Sequence, residues 1–180
     1  EDIDFGIRAR KKDWKFYFLP SASVEHMHRA DLPALLKVWK SYGAAHPVLL
    51  RAHAADRIEI ILQFLGKYPE HPIIRIPFFV RGFIYIGNFH LMHIFGALFL
   101  LFFILQWGFP CSFWLKFFAW LNLGLLSYVK FKYFRMIFNI EPYDKWLEFA
   151  KMKYLTNLYF MKGGLKGSFK NGTFCIEPSF

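Results

Sequence analysis

Residues Phe83 to Trp107 form a run of 25 positions without a single Asp, Glu, Lys or Arg. Roughly 20 apolar residues in a helix span the hydrocarbon core of a bilayer, so this run predicts a transmembrane helix over 83–107. The competing reading, a buried helix of a large soluble protein, accounts less well for a run of this length. A turn is expected at Gly108-Phe109-Pro110, followed by a second crossing over 112–129. Only Lys116 interrupts that second stretch, and a lysine near its start can snorkel to the interface. Lys67, Arg75 and Arg81 precede the expected hairpin, Lys130, Lys132 and Arg135 follow it, and the turn is uncharged. The positive-inside rule then places both ends of a hairpin spanning 83–135 in the cytoplasm, as in a multi-pass protein of a plasma or inner membrane.

Composition sets the partner class. The 180 residues carry a formal charge of +10, yet 56% are hydrophobic and 24 are Phe. A basic and apolar chain suits an anionic membrane surface. A nucleic-acid binder would place its cations on polar elements within a recognisable module, and none is evident. Cys111 and Cys175 lie far apart and make neither a disulfide framework nor a Cys-x-x-Cys metal pattern.

Around the hairpin, four further segments are expected. Residues 1–50 read as an α/β piece. An acid-first, base-last helix opens it, with Asp4 and Arg8 one turn apart. A strand over 14–19 follows, then a short extended stretch over 22–25. Asp31 caps a helix with Pro33 in its first turn, Leu32, Leu35, Leu36, Trp39 and Tyr42 along one face, and Gly43 as its stop. Residues 51–82 read as an interfacial amphipathic segment with a helix over 54–66. Residues 141–167 read as a basic amphipathic helix lying on the membrane, ended by the glycines at 163–167. The tail, 168–180, is uninformative.

The chemistry-bearing residues concentrate near the start. Glu1-Asp2-x-Asp4-Phe5 is followed by Arg8, Trp14, Pro20-x-Ala22-x-Val24-x-His26, His28-Arg29, and then Tyr42-Gly43 and His46-Pro47. Taken singly, the acids are ordinary first-turn residues favoured by the helix dipole. His26 and His28, two apart on a strand, point the same way. They suit a metal, a diphosphate or acceptor positioning, although either is equally served by a local hydrogen bond. Arg29 suits a bidentate phosphate contact. No further ligands follow at zinc-site spacing. His90 and His93, one turn apart in the first expected span, are polar and hence functional candidates there, but a neutral imidazole is tolerated at little cost.

In this order the motifs resemble the family 2 glycosyltransferases of the GT-A fold. There a Glu-Asp pair opens a helix, and a small strand, a Pro-x-Ala turn and a Val-x-His follow. The resemblance covers residues 1–50. It implies a fold: an α/β remnant of a Rossmann-like GT-A domain, followed by a mainly α-helical anchor of two transmembrane helices and interfacial helices. It also implies an activity, inverting transfer of a sugar from a nucleotide-sugar donor to a membrane-near, lipid-linked or glycan acceptor. Asp2 would be the general base beside Glu1. His26, with His28 and Arg29, would face the diphosphate, its metal or the acceptor, and Trp39 and Tyr42 would lie on the acceptor-side interface helix. A divalent metal, Mg or Mn, is expected in the full enzyme; His26 is its possible ligand here, and the family's Asp-x-Asp ligands are absent. The chain begins inside its first motif, which suggests a fragment without the donor-binding half. The Gln-x-x-Arg-Trp motif of processive relatives is also missing, which favours transfer of a single sugar. The alternative is a non-enzymatic membrane anchor or assembly subunit, which accounts for the apolar, basic half but not for the ordered motifs.

Overall fold

The computed structural model describes residues 2–17, 31–62, 74–138 and 145–177. Helix α1 spans Asp2–Arg10 and α2 spans Leu32–His53. The expected start of α2 is found: Asp31 stands just outside the helix in an extended conformation and its carboxylate accepts the Ala34 N–H at 2.7 Å. The expected stop is not, because α2 continues through Gly43, with Pro47 inside it. Gly43 is a site of close approach rather than a cap. A Cβ there would stand 2.0 Å from the carbonyl oxygen of Phe160.

Phe160 belongs to α5, Trp146–Asn171. Gly163, Gly164 and Gly167 lie within α5 and do not end it; the helix stops at Gly172, in the left-handed conformation with φ 61°. Added Cβ atoms on Gly163 and Gly167 would meet the carbonyls of Lys40 and Ala44 at 2.0 and 2.7 Å. Contact positions rise together along both helices, so α2 and α5 run parallel, backbone against backbone. Small residues one turn apart permit such an approach.

A mixed four-stranded sheet is built from β1 (Arg57–Leu62), β2 (Ile74–Pro77), β3 (Gly82–Ile86) and β4 (Phe174–Ile176), in the order β2-β1-β3-β4. β1 pairs antiparallel with β2 and parallel with β3, and β3 pairs parallel with β4. Residues 57–62 therefore form a strand where a helix over 54–66 was expected. Three isoleucines favour the pleated state, and two neighbouring strands satisfy its backbone. β3 also takes the first residues of the long apolar run, so the helix within that run starts later.

That helix is α3, Asn88–Gly108; α4, Phe113–Phe138, packs back along it, with Phe102 and Phe118 stacked at 5.6 Å. The base of this pair is buried against α5 through Phe89, Met92, Val129, Tyr133, Ile137 and Ala150. Its far end is open: Trp107 is 83% exposed and Trp114 65%.

Two further expectations are overturned. Residues 2–17 and 31–50 form helices and irregular chain; the expected strand over 14–19 is absent from its described part, 14–17, and 22–25 lies outside the described residues. A Rossmann-like GT-A remnant is not found: the sheet is assembled from later residues, with β4 from the far end of the chain. Nor are there two candidate spans. Among the described residues only α3 is long and apolar enough to cross a membrane. α4 occupies the second expected span, but it carries Lys116, Asn122, Lys130, Lys132 and Arg135 along its length.

Candidate functional site

α1 lies against the C-terminal half of α2 over a cavity of about 340 Å³. Ile3 and Ile7, one turn apart on α1, form one wall; Leu49 and Leu50 of α2 and Phe83 of β3 form others. Its polar lining is His46, His53 and Glu177, and each imidazole is paired with a carboxylate. His46 and His53 are seven residues apart on α2, two turns along the same face, roughly 10 Å by helix geometry.

His53 is the anchor of α1. Its Nε2 bonds Asp4 Oδ1 at 2.6 Å, while Lys11 Nζ lies 3.2 Å from its Nδ1. An ammonium only donates, so Nδ1 accepts and Nε2–H donates to the carboxylate. Asp4 Oδ2 meets Arg8 Nε at 3.0 Å, the pairing that the four-residue spacing suggested. The hydrogen bond from His53, aided by the charge of Arg8, holds the Asp4 carboxyl below its ordinary value against the opposing effect of burial.

His46 bonds through Nδ1 to the buried Glu177 Oε1. The same oxygen accepts the Cys175 thiol at 3.3 Å. The Cys175 N–H donates to Ser168 Oγ at 3.0 Å, which pins this end of the chain on α5. Burial, and then the charge of Glu177, push the thiol well above its ordinary range. Cys175 is thus a protonated structural donor, not a nucleophile. Nδ1 of His46 faces Glu177, so Nε2 is the ring nitrogen turned away from that carboxylate.

The residues singled out from sequence are only partly brought here. Asp2 lies in the first turn of α1. Glu1, His26, His28 and Arg29 lie outside the described residues. Trp39 stands half-buried at the α2–α5 seam, with its ring 6.2 Å from Phe160 and Lys153 Nζ 6.0 Å from its centroid. Tyr42 is exposed and meets the Trp39 ring edge-on at 5.9 Å. Of the residues gathered here, His46 stands in the sequence motifs only as part of His46-Pro47, and His53, Glu177 and Cys175 stand in none of them. The seven-residue spacing of His46 and His53 was a usable signal; Glu177, 131 positions from His46, gave none. Among the described residues no group of three or more His, Cys, Asp or Glu is placed to hold a metal ion.

No family model matches the chain, and neither a curated protein nor a solved structure is found to resemble it.

Proposed function

We propose that this chain is a membrane-associated part of an inverting glycosyltransferase, acting with a nucleotide-sugar donor and a membrane-near acceptor. The observation that carries the reading is the placement of α1. The helix that bears Asp2 in its first turn is fastened by Asp4 to His53, beside a cavity walled by α1, α2 and β3. In the proposed step the Asp2 carboxylate takes the proton of the acceptor hydroxyl. The acceptor oxygen bonds to the anomeric carbon, and the bond from that carbon to the nucleotide diphosphate breaks. A single carboxylate suffices for one inverting displacement. The described residues do not fit the expected divalent metal, and the base step does not pass through one. α3 serves as the membrane contact, and in this reading the α1 face is cytoplasmic, in keeping with the basic residues before α3.

The test is transfer of labelled sugar by membranes containing the gene-length protein. Asp2→Asn should lower turnover by roughly 10²–10⁴-fold, the usual worth of a general base, with donor binding retained. Unchanged turnover would remove Asp2 from the reaction. The exposed aromatic end of α3 and α4 favours a second reading, an anchor or assembly subunit without catalysis. That reading predicts no transfer by the gene-length protein with any donor.

A further inference from the structure

Side chains alternate across a strand, so the sheet presents two different faces. Phe83 and Glu177 border the cavity beneath α1. On the opposite face the register sets Ile76, Ile58 and Gly82 in one row and Ile74, Ile60 and Ile84 in the next. α3 and α5 cover the β3 side of this face, where Ile94 and Leu158 border a cavity with Ile84. The β2 side is open, with Ile74 and Ile76 each 42% exposed. Beyond the first row, where residues 78–81 join β2 to β3, lies a pocket of about 460 Å³. Arg51, Arg81 and Lys170 line it, and Asp56 is its one acid. Arg81 Nε donates to Asp56 at 2.6 Å, and its Nη1 donates to the Arg51 carbonyl. The side chains of Arg51 and Lys170 have no hydrogen-bond or ion-pair partner among the described residues.

Arg51 and Lys170 stand in the last turns of α2 and α5, where the helix dipole favours cations. That role does not use up their charge. Three cations against Asp56 leave two positive charges, and the two helix ends offset roughly one of them. The remaining charge, about +1, suits a singly charged phosphodiester better than a dianion. The aromatic rim indicates where that group comes from. Phe79, which borders the pocket, is 96% exposed, and Phe78 lies beside it with ring centroids 5.8 Å apart. Phe169, next to Lys170, is 90% exposed. A phosphate free in solution would use the cations and leave these rings in water. A phospholipid uses both, with its headgroup in the pocket and the rings at the acyl boundary. α3 stands on the isoleucine side of the sheet, so a bilayer that receives this helix lies on that side too. We propose that the isoleucine face and the Phe78–Phe79 tip rest on the bilayer, and that the pocket of Arg51, Arg81 and Lys170 takes the phosphodiester headgroup of an anionic phospholipid. The proposal does not depend on the glycosyltransferase reading.

The test uses the full chain with Cys111→Ser, carrying an environment-sensitive fluorophore on Phe79→Cys; Cys175 is buried and stays unlabelled. The chain is reconstituted into vesicles of phosphatidylcholine alone, or of two parts phosphatidylcholine to one part phosphatidylglycerol. Emission should rise and shift to the blue with phosphatidylglycerol, and stay near its aqueous level without it. Arg51→Gln together with Lys170→Gln should cut the rise about tenfold or more, since two cations beside an anionic surface are each worth roughly fivefold. Arg51→Lys should keep most of it. Flotation with the vesicles, which α3 provides, should be the same for every variant, so the readout is separate from that helix. An equal rise in phosphatidylcholine alone, or a rise indifferent to the double variant, would overturn the headgroup pocket. No rise in either vesicle would overturn the docking of this end. Suppression of the rise by glycerol phosphate or a short RNA, at matched phosphate concentration and constant ionic strength, would show phosphate taken from solution and overturn the lipid assignment.

Discussion

Gly163 of α5 lies so close to Lys40 of α2 that a methyl group on it would come within 2.0 Å of the Lys40 carbonyl oxygen. That oxygen belongs to helix backbone and cannot swing aside, so Gly163→Ala should force the helices apart. The expected loss is about 3 kcal/mol, the upper end of ordinary overpacking. Gly124→Ala on α4 provides the contrast, because nothing lies within 4 Å of its added Cβ. There the gain in helix propensity should be neutral to about 1 kcal/mol favourable. Chemical unfolding in mild detergent, followed by circular dichroism, compares the two; equal effects would contradict the seam.

The Asp4–His53 bond should make the docking of α1 sensitive to acid. Asp4 titrates below its ordinary value in the folded chain, so its contribution is complete above the ordinary carboxylate range and is lost as pH falls through the lowered value. Protection factors of the α1 amides, with the intrinsic pH dependence of exchange divided out, should therefore fall at pH 3 relative to pH 6, more than in α5. Asp4→Asn should give low protection at both values. If protection in α1 does not depend on pH in the wild type, the bond does not hold the helix.

The two cysteines should differ in reactivity. Cys111 is exposed and Cys175 buried, with its thiol bonded to Glu177 and held protonated. At pH 8, iodoacetamide should modify Cys111 at least about a hundredfold faster, since the thiolate is the reacting species. Glu177→Ala should strand His46 and Cys175 without their shared acceptor and cost roughly 1–3 kcal/mol. Comparable alkylation rates in the folded protein would contradict the placement of the C-terminal strand.

The open end of α3 and α4 should meet the membrane first. Trp107 and Trp114 are large amphipathic rings suited to the headgroup level. Brominated phospholipids should quench their fluorescence, and the double change to Ser should weaken vesicle binding about tenfold or more. Binding that survives both changes would point to the basic face of α5 instead.

Local chemistry was legible in the sequence; long-range pairing was not. Asp31 and Pro33 announce a helix start because the cap is made within three residues. Gly43 and Gly163 look like stops because a glycine needed for close approach and one needed for a left-handed turn are the same residue. Ile58, Ile61, Leu62 and Leu65 follow a helical period, yet residues 57–62 are a strand. β1 has neighbours on both sides, and its partners lie beyond any local window. The same holds at the candidate site. The acids of α1 are visible at once, whereas Glu177 becomes a partner of His46 only through the parallel pairing of β3 and β4.

The parallel seam also gives the chain a timetable. α2 is complete once residue 53 has been made, but the face it packs against is unfinished until residue 171. At ordinary elongation rates of about 5–20 residues per second, that wait lasts on the order of ten seconds. During it β1, β2 and β3 can already pair, while the glycine face of α2 and the outer edge of β3 stand uncovered. The apolar helix α3 leaves the ribosome inside this interval. A membrane can therefore receive it before the rest of the protein closes, and α5 with β4 arrives last as the latch.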